Sequence, residues 1–175
     1  LANTDFTHAN LSYTNMCGAT NPVIKINWPG GTYHESKYLT FDFTGTDMSY
    51  ADFDHAQIQR AILTDAIVKH TNFHDANLEG VDLSYKDLTG TVLTKADLTG
   101  ANLSGVDLSG KDLTNANLSG VALSGKDLTG TILKGADLTD TVLPSDYFLS
   151  GNNFQRTIFD GINLSGKDLS KSSLW

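Results

Sequence analysis

The chain has one cysteine, Cys17, among 175 residues. A single thiol closes no disulfide within one chain and builds no cysteine-based zinc cluster. Basic residues are scarce, 12 against 20 acidic ones, and the formal charge of −8 excludes the diffuse basic footprint of a nucleic-acid binder. No stretch approaches the roughly 18 apolar residues that a membrane-spanning helix needs. There is no His-Glu-x-x-His motif, no phosphate-binding Gly-x-x-x-x-Gly-Lys-Ser/Thr loop and no nucleophile elbow. The sequence therefore reads as non-enzymatic, with no cofactor and no metal. It begins with Leu1 rather than Met and shows no leader, as expected of a processed product or a piece of a longer chain. Only three prolines occur, and 16 glycines with 39% apolar residues argue for an ordered fold rather than a disordered tail.

What is present is a repeat. From Phe43 to Phe148 every fifth residue is apolar, and the series extends to Leu1, Phe6, Leu11 and Met16 before it and to Phe154, Phe159, Leu164, Leu169 and Leu174 after it. With this central residue as i, position i−2 is usually small, i−1 is often Asp or Asn, i+1 is often Ser or Thr, and i+2 holds 13 of the 16 glycines. A period of five excludes an α-helix, because five residues at about 100° each leave the apolar positions spiralling around the axis. It also excludes a straight strand, whose period is two. A short extended piece followed by a corner satisfies it. Residues i and i−2 then point inward, i−1 points outward, and glycine at i+2 supplies a turn with positive φ.

This pattern, A-(D/N)-L-(S/T)-G, in stretches such as Ala96 to Gly105 ("ADLTGANLSG"), closely resembles the pentapeptide-repeat family. The resemblance covers about nine-tenths of the chain and 31 copies. It implies an all-β fold, a right-handed quadrilateral parallel β-helix in which four repeats make one square coil. The whole chain, residues 1–175, would be one solenoid domain of about eight four-sided coils, with repeats one coil apart stacked on one face. At about 4.8 Å per coil the rod would be roughly 37 Å long.

Two breaks interrupt the repeat. Residues 17–42 read as an insertion near the N-terminus, carrying Trp28, Tyr33, Tyr38 and the turn Pro29-Gly30-Gly31. Aromatic excursions from a rigid scaffold commonly bind partners, and the alternative is that these rings fold back over the rod. The second break is a six-residue step placed between Phe148 and Phe154, after Pro144. Four lysines, Lys86, Lys111, Lys126 and Lys167, occupy the inward i−2 position. Each is preceded five residues earlier by Val81, Val106, Val121 or Ile162. A charged amine cannot end in a dry core, so the stem is expected to lie along the wall with the ammonium reaching water. Lys126 and Asp146, four repeats and hence one coil apart, are expected to pair. The five histidines share no face by the same coil spacing.

Asp87, Asp107 and Asp127 are expected to stack on one outer face. They serve either as turn-capping Asx residues or as an acidic ladder for a basic partner. Leu174 and Trp175 end in frame and are expected to cap the last coil or to join a homodimer through it. Three functions follow. One is a protein-binding scaffold with flat faces and an aromatic loop. From the resemblance, the second is an acidic DNA mimic that binds DNA gyrase and protects it from quinolones or toxins. The third is the partner-recognition domain of a secreted bacterial effector. The compartment would be the bacterial cytoplasm or the exterior, with no direct nucleic-acid contact.

Overall fold

The computed structural model describes residues 10–11, 14–16, 41–144 and 149–174. Each described pentapeptide forms one short extended piece and one corner. The corner is closed by the N–H of i+3 donating to the carbonyl of i, as in Thr46 to Phe43 (2.9 Å) and Ala51 to Met48 (3.0 Å). Such a turn needs positive φ at its third residue. Among the described residues, that conformation occurs at i+2 of every repeat from Gly45 to Lys171 and nowhere else. Glycine is thus one solution among several, since Tyr50, His70, Tyr85 and Asn115 hold the same φ between 56° and 61°.

Why glycine recurs has a second reason. The Tyr85 and His70 side chains lie over the corner of the next coil, and a Cβ at Gly105 or at Gly90 would collide with those rings.

Successive coils pair in parallel through i−1, as in the column Asn77, Asp97, Asn117 and Asp137, where each residue lies one coil from the next. Four repeats fill one coil, so the central residues fall into four columns, here called faces. The first contains Phe43, Leu63 and Leu83, and the second Met48, Val68 and Leu88. The third contains Phe53, Phe73 and Leu93, and the fourth Ile58, Leu78 and Leu98. Central residues and small i−2 residues such as Ala96 and Ala116 together form one buried core. A fully buried leucine contributes about 1.5–3 kcal/mol, so the core is assembled from many equal increments.

Two features differ from the sequence reading. The central residue after the second break is Leu149, fully buried, followed by Phe154 at the usual repeat spacing. The six-residue step therefore lies between Leu143 and Leu149. Pairing across it carries one extra residue, as in Ile132 with Asn153 and Asp137 with Ile158. At the other end, Phe41 is buried and Asp42 pairs with Ile62, so both lie in the coil although the sequence pattern extends the insertion through residue 42. Asn10 and Asn15 pair with Asp47 and Asp52, which places the first described residues one coil before Asp47.

Candidate interaction surface

The outward residues are held by their own backbone. Asp87, Asp107 and Asp127 each accept, through Oδ1, the N–H of the residue two positions on, at 2.8–2.9 Å. Asp82, Asn102, Asn117 and Asp137 do the same. The capping role expected of the acidic ladder is therefore present, and one carboxylate oxygen is used for it.

The second face differs from the others in its charges. Among the described residues, no Asp pairs with another Asp across any bridged pair of coils. Asp faces Asn, Ile or another neutral residue each time. Like charges directly opposite are destabilising. Asp87, Asp107 and Asp127 do succeed one another on the second face, where the bridges at i−1 are absent and main-chain bonds between coils remain at the corner, His70 N–H to Thr89 O (2.8 Å) and Gly110 N–H to Thr129 O (2.9 Å). Cations are set among them. Lys69 Nζ lies 2.7 Å from Asp87 Oδ2, the Lys111 charge acts on Asp87 and Asp107, and that of Lys126 acts on Asp107. The ladder is thus an alternating lattice of both signs.

Three of the four cassette lysines end at main-chain carbonyls rather than only in water. Lys126 Nζ donates to Val106 O at 3.0 Å, Lys167 Nζ to Pro144 O at 2.8 Å, and Lys111 Nζ to Leu88 O. Burial lowers the pKa of Lys86, Lys111 and Lys126 below its ordinary value near 10.5. Asp146 lies outside the described residues, as do Trp28, Tyr33, Tyr38 and Trp175. With Leu149 as the central residue, counting back two no longer reaches Asp146. Leu174 is 39% exposed, and Phe159, Leu164 and Leu169 before it are only partly buried.

Several contacts escape the coil spacing because they run diagonally. His55 and His74, one residue short of a full coil apart, approach to 6.1 Å between ring centroids. His55 also bridges Asp54 (2.8 Å) and Asp75 (3.2 Å), and Arg60 reaches Glu79 at 3.5 Å. Tyr85 is 83% exposed at the corner between the first and second faces, and Ile62 and Ile67 of the preceding coil flank it. Tyr50 and His70 stack at the opposite corner of the second face, 4.6 Å apart.

The titration behaviour follows. Hydrogen bonds from Ser84 lower the pKa of Asp82, and those from Ser109 lower that of Asp107. The Lys69 ammonium and Thr89 lower that of Asp87. A carboxylate whose folded pKa is depressed stabilises the fold above the unfolded value near 3.8, and that contribution is lost as pH falls below it. For the lysines the sign reverses. Their depressed folded pKa imposes a cost at neutral pH that is relieved as pH rises toward 10.5. Thermal melts should show a loss of stability below about pH 4, and on approaching about pH 10 a smaller decline for wild type than for K111T.

The repeat chemistry decides the family. The pentapeptide-repeat profile matches in eight copies over residues 1–20, 41–65, 71–110 and 112–143. The chain belongs to the pentapeptide-repeat family. Among solved structures, this pentapeptide-repeat chain is similar to HetL of the cyanobacterium Nostoc sp. strain PCC 7120, a protein involved in heterocyst differentiation regulation. The identity is 25% over 99% of this chain and 82% of HetL, with a TM-score of 0.62. It is 30% identical to Rfr23 of Cyanothece 51142 over 79% of this chain and 90% of Rfr23, with a TM-score of 0.44. QnrB1, a plasmid-mediated fluoroquinolone resistance protein, shares the fold at 17% identity over 98% of this chain and 85% of QnrB1, with a TM-score of 0.52. No curated protein sequence matches the chain. Among the described residues no helix is long and apolar enough to cross a membrane.

Proposed function

We propose that the chain is a non-catalytic protein-binding scaffold, a right-handed quadrilateral β-helix whose outer faces are the recognition surface. The observation that supports this reading is the preorganisation of the i−1 residues. Each outward Asp or Asn is fixed by its own turn, so the faces present polar groups at set intervals with little side-chain entropy left to lose on binding. The second face, with Asp87, Asp107, Asp127 and the exposed Tyr85 at its corner, is the leading surface, and Trp28, Tyr33 and Tyr38 supply a second. Affinity capture with the triple variant D87N/D107N/D127N beside wild type tests the reading. Retention of every wild-type partner by the variant would remove the second face from it.

A second reading is protection of DNA gyrase by an acidic rod. It is favoured by the succession of aspartates on one face, by the charge of −8 and by the QnrB1-like fold. The interleaved lysines weigh against it, because they cancel much of the field an acidic mimic would need. A gyrase supercoiling assay separates the two. Relief of quinolone inhibition supports the mimic, and no effect supports the general scaffold. Partly buried Leu164 and Leu169 and exposed Leu174 suit a homodimer through the C-terminal coil. Light scattering should give twice the monomer mass, falling to the monomer in Leu174→Asp.

A further inference from the structure

The main-chain pairing between coils is not continuous, and its gaps follow one position. Wherever i−2 is Ala, Thr, Ser or Asn and the preceding coil is described, the next residue pairs with that coil. Asn72 after Thr71, Asp97 after Ala96, Ile132 after Thr131 and Asn153 after Asn152 are examples. Wherever i−2 is Val, Ile or Lys and the preceding coil is described, that pairing is absent. The open positions are Asp82, Asp87, Asp107, Asp112, Ala122, Asp127 and Asn163, which follow Val81, Lys86, Val106, Lys111, Val121, Lys126 and Ile162. These are the residues of the repeated cassette. Grooves of about 500–600 Å³ lie at the openings between successive coils.

Size alone does not explain the sorting, because Thr and Val have nearly the same shape. The hydroxyl does. Thr71, Thr91 and Thr131 each donate, at 2.8–2.9 Å, to the carbonyl of a central residue in the preceding coil: Met48, Val68 and Leu108. Ser172 clasps Leu149 in the same way, and Thr157 clasps Leu133 across the six-residue step. Valine puts a methyl where threonine puts a donor. A methyl there adds no second hydrogen bond to the carbonyl, which keeps only its own corner N–H, as Leu83 O keeps that of Lys86 at 3.0 Å, and the ladder bonds of that rung are absent. Lysine also reaches a carbonyl of the preceding coil, but its four-carbon stem lies in the wall. Valine or isoleucine followed by lysine therefore opens two successive faces of one coil.

The cassettes are not scattered. The second face is open at Asp87, at Asp107 and at Asp127, whereas the fourth face is paired without a gap from Gln57 to Ile158. We propose that the Val/Ile–Lys cassettes are built-in spacers and that the second face is a compliant seam along which the coils part and close while the fourth face acts as the spine. At Thr71, Thr91 and Thr131 the hydroxyl is the latch, whereas the small alanines of the spine close without one and Thr141 bonds Leu138 within its own coil. This property belongs to the coil itself and does not depend on which partner the scaffold takes.

Hydrogen exchange of the whole chain, resolved by residue, tests it. The amides of Val68, Asp87, Leu88 and Asp107 should exchange about a hundredfold faster than those of Leu78, Asp97, Leu98 and Asn117 in the same coils. Two isosteric variants then move the latch in opposite directions. V106T should place a hydroxyl beside the Leu83 carbonyl and slow Leu88 and Asp107 by about tenfold or more. T131V should remove the bond to Leu108 and speed Leu113 and Ile132, whose pairing at 2.8 Å it now supports. Equal protection of the second and fourth faces in wild type would overturn the proposal. So would an unchanged Leu113 and Ile132 in T131V, and that reading stands even where V106T does not fold.

Discussion

Leu103→Ala is expected to cost about 2–5 kcal/mol, through lost transfer energy and the cavity left in a packed rung. Leu103 is 2% exposed, with its neighbours in the first-face column, Leu83 and Leu123, fully buried above and below it. The adjacent Asn102 points outward, and its Oδ1 accepts the Ser104 N–H at 3.0 Å. Asn102→Ala removes that one exposed hydrogen bond and should cost about 0.5–1.5 kcal/mol, less than Leu103→Ala. Urea melts of the two variants make the comparison, and equal midpoints would show the inward and outward assignments to be wrong.

Lysine should be tolerated on one face and not on another. Ala96 is fully buried on the fourth face, where Leu78 N–H donates to Asp97 O at 2.7 Å and Asp97 N–H to Ala76 O at 2.9 Å. Ala96→Lys must part those bonds, each worth about 0.5–1.5 kcal/mol net, and overpack a closed wall. The expected loss is about 3 kcal/mol or more. Val106→Lys alters a position where the wall is already open and where Lys86 and Lys126 stand one coil before and after. Its cost, from lost apolar burial and from a third ammonium stacked between two others, should be about 1–2 kcal/mol and so stay below that of Ala96→Lys. Melting temperatures measured side by side settle the contrast, and similar losses at both sites would remove the distinction between open and closed faces.

Most of the fold was legible in the sequence because one period determined it. Apolar i, small i−2 and glycine at i+2 each state a geometric requirement, and every described corner from Gly45 to Lys171 meets it. The step near Pro144 was misplaced because Phe148 and Leu149 are adjacent and both apolar. Gly151, two positions after Leu149 and at φ 79°, was the available signal. The cassette was visible as a pattern, yet its meaning was not, since the distinction between valine and threonine at i−2 depends on a carbonyl of the preceding coil. Charge balance on the second face was hidden for a similar reason. Lys69 and Asp87 meet diagonally, outside the lag that stacks columns.

The step between Leu143 and Leu149 shows which changes of length the rod can absorb. One added residue is taken up between Leu143 and Leu149, after which Ile132 meets Asn153 and Asp140 still lies beside Gly161. Every column keeps its phase. Adding one whole pentapeptide would preserve the sequence period and yet rotate all later repeats by one face. Open rungs would then fall against the spine, and corner side chains would settle on residues that cannot accept them. In evolutionary terms the heritable unit is the complete coil of four pentapeptides, and a single-residue insertion is a smaller disturbance than a perfect extra repeat.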